Sequence, residues 1–367
     1  MSPGRRPQLA DAGLGLQVRF CYDAPVTSLR ITRPDDWHVH VNEGSRLQKT
    51  VCDMAGRFSR GLIIPPPESP IFSVADALAY RDRIIEARPQ DSLFQPYMAI
   101  CANHDTPPAE IEKLAETPDV LAVKLYTADI SRHRGQEPND LDSMTPVFDE
   151  MEAYDVPLLI YDNREDSQID IFDREARFTE GPLSRLRARH PKLRIVVEHI
   201  STKDAIRWTL EAGPLTAATI TVHHLLLNRN ILLDTGIRPH YYCSAVLQSE
   251  PHRLALLEAA TSGSSKFFLG TSSMARSVHE KEWHGRAGIY TAHAAVELCA
   301  EAFESVGALE QLEAFTSHHG ADFFRLPRND QTLTLTRERW LVPDQVSLGE
   351  DDLLVPFHGG KWVSWRI

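Results

Sequence analysis

Eight short apolar runs, each separated from the next by amphipathic or loop-like sequence, constrain this chain more than any other feature. The runs are WHVHV (37–41), GLIIP (61–65), FQPYMAI (94–100), VLAVKLY (120–126), VPLLIYD (156–162), LRIVVEHI (193–200), LTAATITV (215–222) and KFFLGT (266–271). Their near-continuous Val, Ile and Leu content predicts strands buried on both faces, as in a parallel sheet. Helical patterns fall over 73–88, 108–116, 145–154, 182–190, 202–212 and 250–261, with start signals at Thr202 and at Thr106-Pro107-Pro108. Alternating strands and helices require right-handed βαβ units. Eight of them predict an α/β fold, a (β/α)8 TIM barrel, with an open doubly wound sheet as the alternative. Two further helical stretches (290–306 and 308–325) precede a β-rich tail at 332–342 and 352–365. That tail is expected to pack beside a strand near 27–33 as a small β-rich N/C-terminal addition. Residues 1–25 are read as a loosely ordered extension and 26–367 as one barrel domain.

The length of 367 residues accommodates a barrel, which needs roughly 250. A formal net charge of −12 opposes a nucleic-acid or anionic-membrane partner and leaves a small-molecule substrate. The five cysteines are scattered, odd in number and without CxxC spacing, which is neither a disulfide framework nor a zinc ribbon and fits a reducing, cytoplasmic location. No apolar run approaches the roughly 20 residues of a membrane span.

A barrel carries its chemistry at the C-terminal ends of its strands. Here those ends hold His38 and His40, Lys124, Tyr161-Asp162-Asn163, Glu198-His199, His223-His224 and Thr271-Ser272-Ser273. His38 and His40 alternate on one strand, so both imidazoles share a face and can bind one metal ion, with Val39 turned into packing. Lys124 inside an apolar run is costly to bury unpaired. It is either a lysine snorkelling to the rim or a functional lysine, depressed in pKa or modified. His199 is likewise a hydrogen-bonded core histidine or a ligand.

The motifs RPDDWHVHV, AVKLY, VPLL, DIFDREARF, VEHISTKDA, ATIT, NRN, RPHYYC, FLGT and LVPF resemble the bacterial, single-function dihydroorotases of the amidohydrolase superfamily, from about residue 31 to 365. The resemblance implies a (β/α)8 barrel, a homodimer, and interconversion of N-carbamoyl-aspartate and dihydroorotate by two divalent metals bridged by a carboxylated lysine. It places His38 and His40 as ligands of the first metal, Lys124 as the bridge and His199 as a ligand of the second.

The chain also departs from that pattern. Tyr161 stands where the family has a further histidine ligand, and Ser272 where it has an aspartate that is both ligand and base. Asn42 and Pro66 replace the Arg and Asn that hold the substrate carboxylate, and Arg276 replaces a histidine. The remaining ligand count supports one zinc-like ion, counts against two, and leaves a metal-free pocket as the alternative. His223, His224, Asp162 and His279 are the candidate replacement bases. The expected pocket comprises Asn42, Tyr161, Asn163, His224, Ser272 and Arg276. These departures point to a dihydroorotase-like amidohydrolase that opens or closes an amide of a small molecule other than dihydroorotate. The alternatives are an inactive paralogue that binds a metabolite or protein, and an authentic dihydroorotase with rearranged ligands.

Overall fold

The computed structural model describes residues 26–127, 141–162, 168–349 and 352–367. Strand β1 (Ser28–Thr32) stands apart from the barrel. The eight barrel strands are β2 (Asp35–Val39), β3 (Arg60–Ile63), β4 (Gln95–Cys101), β5 (Val120–Tyr126), β6 (Leu158–Tyr161), β7 (Ile195–Val197), β8 (Thr216–Ile220) and β9 (Phe267–Leu269). They form one parallel sheet in sequential order from β2 to β9. The ends meet just past β9, where the Ser272 amide donates to the His38 carbonyl at 2.7 Å and the His40 amide to that of Ser273 at 3.0 Å. The barrel therefore closes directly beside the two histidines.

One side chain from each strand fills the interior: Trp37, Leu62, Ala99, Ala122, Leu159, Val196, Ala217 and Phe268 form an apolar cluster separate from the one under the helices. Phe324 stacks on Trp37 with ring centroids 4.7 Å apart. The small alanines on β4, β5 and β8 leave room in this layer for the bulky Trp37 and Phe268. Two residues further along a strand the side chains face inward again, which brings Lys124, Tyr161 and Glu198 above this plug. β2 reaches the same level differently. Its register with β3 shifts between Asp36 and Val39, and the His38 amide turns to the Asp36 carboxylate at 3.2 Å. This irregularity re-aims the strand so that Trp37 fills the interior while His38 and His40 both face the mouth.

The β-rich tail lies where expected. β10 (Thr332–Thr336) pairs antiparallel with β1, from Ser28 opposite Thr336 to Thr32 opposite Thr332.

Three local expectations need correction. A helix, Leu47–Arg57, joins β2 to β3 where none was predicted. Its Thr, Val, Cys and Gly residues have weak helix propensity and it lacks a side-chain N-cap; burial of Val51, Met54 and Ala55 holds it instead. The helix expected to begin at 182 starts at Arg174 and passes through a π-helical turn, Thr179–Leu183, with Pro182 inside it. The wider turn accommodates Pro182 within the helix. Finally, β8 ends at Ile220, and His223 and His224 belong to a short helix, Val222–Leu226, capped by the Thr221 hydroxyl, which accepts from the His224 amide at 3.2 Å. No helix among the described residues is long and apolar enough to cross a membrane.

Candidate active site

The mouth of the barrel opens into a pocket of about 610 Å³ whose lining includes His38, His40, Lys124, Tyr161, His199 and Ser272. At its floor lies Glu198, which parity with Val196 turns inward. Its carboxylate forms an ion pair with Lys124, and its Oε1 lies 2.6 Å from His38 Nδ1, off the direction of a good hydrogen bond. All three side chains are buried. Burial would push the Glu198 carboxyl up, but the neighbouring His38 and Lys124 hold it far below the usual carboxylate range. Lys124 is thus held against Glu198 inside the closed barrel rather than reaching for the rim.

His40 has one tautomer imposed on it. Its Nδ1 donates to the Ile64 carbonyl at 2.9 Å, leaving Nε2 bare, and that nitrogen faces His38 Nε2 at 3.2 Å. His199 reaches the cluster through a left-handed backbone, φ 39°, pinned by its amide donating to Thr219 Oγ1 at 2.6 Å. Such a conformation is uncommon outside glycine, and it breaks the alternation that would point His199 away from Glu198. Its Nδ1 is buried without a hydrogen-bond partner among the described residues. Burial, then the neighbouring His38, holds both His40 and His199 well below the ordinary imidazole pKa, so both present neutral donor nitrogens.

These facts test whether a metal fits. Donor atoms of His38, Glu198 and His199 lie within 4.8 Å of one another, beside the bare Nε2 of His40. Neutral imidazoles with an ionised carboxylate are a donor set for a zinc-like ion, and the orphaned His199 nitrogen is accounted for by one. A second ion finds no matching donors at Tyr161 or Ser272. The Tyr161 hydroxyl donates to the Ser244 carbonyl at 2.7 Å, and burial keeps that phenol well above its usual pKa. Ser272 is a neutral hydroxyl on a left-handed backbone, φ 48°.

The other expected pocket residues divide. Arg276 lines the pocket, but its guanidinium is engaged by Glu68 and by Glu280, the latter at 3.3 Å. Asn42 does not line it; its amide donates to the Ala275 carbonyl at 3.2 Å and braces the β9 loop. His224 is also absent from the lining. It donates from Nε2 to the Ala245 carbonyl at 3.0 Å and accepts the Thr221 hydroxyl at Nδ1 at 2.8 Å, because its helix turns it under the pocket. Pro66 does not line the pocket either. Asn163 lies outside the described residues.

Two contributors escaped the sequence reading. Glu198 was visible at a strand end but not given a role, although its spacing from Val196 carried the signal. Glu175 accepts from the amides and hydroxyls of both Ser201 and Thr202 at 2.6–3.0 Å, and so fixes the loop after His199.

Close packing also positions His38. A Cβ on Gly270 would lie 2.8 Å from Thr219 Cβ and 2.9 Å from His38 Cβ. Gly270→Ala is expected to cost about 1–3 kcal/mol and to displace His38. Denaturant unfolding together with zinc titration checks this; unchanged stability and zinc affinity would refute it.

A closed eight-stranded barrel with histidines, a lysine and a carboxylate converging at its mouth defines an amidohydrolase of the TIM-barrel superfamily. Similar proteins include the dihydroorotase of Nitrosococcus oceani, 47% identical over 343 residues that cover 93% of this chain and 99% of that protein. The dihydroorotase of Teredinibacter turnerae is 47% identical over 341 residues, covering 93% and 98%. The chain belongs to the dihydroorotase family. No family model matches it. Among solved structures, the dihydroorotase of Saccharomyces cerevisiae in complex with 5-fluoroorotic acid aligns with a TM-score of 0.81 at 26% identity, covering 93% of this chain and 98% of that one. The inactive dihydroorotase-like domain of a Chaetomium thermophilum CAD-like multifunctional protein shares the fold, with a TM-score of 0.63 at 14% identity and coverage of 92% and 91%.

Proposed function

We propose that this chain opens and closes the ring amide of a small cyclic ureide that bears a carboxylate, with dihydroorotate and N-carbamoyl-aspartate as the first pair to test. The observation that carries this reading is the buried cluster of His38, His40, His199, Glu198 and Lys124 opening into a pocket that Arg174, Arg276 and Arg286 also line. The departures at Tyr161, Ser272, Asn42 and Pro66 pointed away from dihydroorotate, but similarity to dihydroorotases over nearly the whole chain lends that exclusion no support.

In the opening direction, water adds to the ring carbonyl carbon, the carbon–nitrogen bond breaks, and the ring nitrogen gains a proton as the new carboxylic acid loses one to solvent. His38, His40, His199 and Glu198 would hold a zinc-like ion, which polarises a carbonyl and acidifies water when bound. Lys124 balances the charge of Glu198 and keeps that carboxylate oriented toward His38. Arg174 and Arg286 at the pocket wall would supply positive potential for a substrate carboxylate, Arg276 being already paired with Glu68 and Glu280. The left-handed turn at Ser272 ties the β9 loop to the His38 carbonyl and so fixes the histidine pair.

The test is turnover of dihydroorotate and of N-carbamoyl-aspartate by the folded protein with zinc supplied. Turnover in either direction is expected; its absence in both, with zinc bound, overturns the reading. One observation favours a second reading, a pocket that binds without turnover: the Tyr161 hydroxyl is spent on the Ser244 carbonyl, and Ser272 offers no carboxylate. That reading expects dihydroorotate to bind in calorimetry while no product forms.

A further inference from the structure

We propose that His223 is the proton-carrying side chain of this pocket, a role that rests on the function proposed above. The position of the family's aspartate base is Ser272, a neutral hydroxyl too weakly basic to accept a proton unaided. Four side chains could replace it on sequence grounds, and the structure separates them. Both ring nitrogens of His224 are hydrogen-bonded, and it lies outside the pocket lining. His279 is also outside the lining, its ring facing His284 at 4.9 Å. Asp162 lines the pocket but accepts the Thr127 hydroxyl at 3.1 Å.

His223 differs from all three. It lines the pocket, is 1% exposed, and its Nδ1 is buried with no hydrogen-bond partner among the described residues. Among the described residues, the carboxylates that also line the pocket are already committed: Glu175 to Ser201 and Thr202, and Glu68 to Arg276. A buried imidazole without a partner is destabilising unless a ligand or water supplies one. Its ring is held by neighbours rather than by hydrogen bonds, 4.7 Å from His224 and 6.3 Å from Phe357. Burial, then His224 and Lys281, keeps it well below the ordinary imidazole pKa, so its ring is uncharged at neutral pH.

In ring opening, the attacking water forms its bond to the carbonyl carbon as one of its protons passes to His223. The carbon–nitrogen bond then breaks, and the same proton passes from His223 to the ring nitrogen. Ring closure runs through the same positions in reverse. No oxidant, reductant or further reactant is required.

The test compares wild type with His223→Ala and with His223→Gln, which keeps volume and polarity should the alanine variant fold poorly. Both are expected to lose about 10²–10⁴-fold in kcat on the substrate that wild type turns over, with zinc content unchanged. Added imidazole is expected to restore part of the rate to the alanine variant and none to the glutamine variant, a rescue that a structural role would not show. A wild type that turns over while both variants keep its kcat overturns this proposal and leaves the proposed function standing. A rate loss in the alanine variant that imidazole does not relieve also overturns it. A wild type inactive on both substrates overturns the proposed function and this proposal together.

Discussion

Lys124→Ala is expected to destabilise the fold by about 3–5 kcal/mol, because it leaves Glu198 as an unpaired charge inside the barrel. Both side chains are at most 1% exposed, so solvent cannot replace the lost partner. The paired change Lys124→Met with Glu198→Gln removes both charges at similar volume and is expected to recover most of that loss, since a buried ion pair contributes little beyond a well-packed neutral pair. Chemical denaturation of the three proteins measures this. A single variant as stable as wild type would mean that the two charges do not depend on each other. The pair also sets an acid limit. Glu198 titrates lower in the folded chain than in the unfolded one, so its stabilisation is fully present above the unfolded value of about 4.3 and is lost as pH falls below it.

His40→Ala is expected to lower zinc affinity by more than the roughly 10–100-fold that changes around a metal's ligands usually cost. It is also expected to cut turnover by at least about 10²–10³-fold. His40 is the sharpest probe because its tautomer is set by the Ile64 carbonyl, which leaves one nitrogen for a metal. Zinc retained after dialysis against a competing chelator is the measurement. Wild type is expected to keep about one ion per chain, and the variant none. Equal retention in both would remove His40 from the ligand set. The paired change Tyr161→His with Ser272→Asp adds an imidazole and a carboxylate at the same mouth and is expected to raise the capacity to about two ions per chain.

Local composition was enough to reveal the barrel. The run VLAVKLY at 120–126 coincides with β5, Val120–Tyr126, since a strand buried on both faces leaves an unbroken apolar signature. The same logic isolated Lys124, the one charge in that run, and gathered His38, His40 and His199 at strand ends that the fold does bring together. Helix Leu47–Arg57 stayed hidden because packing, not propensity, holds it. His224 was expected in the pocket and lies beneath it because its partner, Ala245, comes from elsewhere in the chain, while Arg276 lines the pocket as expected but meets Glu68 on the loop after β3.

By itself, then, the sequence determined the strand count, the sheet's burial on both faces, the β-rich tail beside β1 and the family to which the chain belongs. All of these follow from residue patterns repeated at short range. Only the tertiary structure decided which polar groups meet. The irregularity in β2 turns His38 and His40 into the mouth, strand parity places Glu198 between His38 and Lys124, and the left-handed turn at His199 sends its ring toward the same cluster. Each depends on strand pairing and closure between residues far apart in the chain, which no local periodicity encodes.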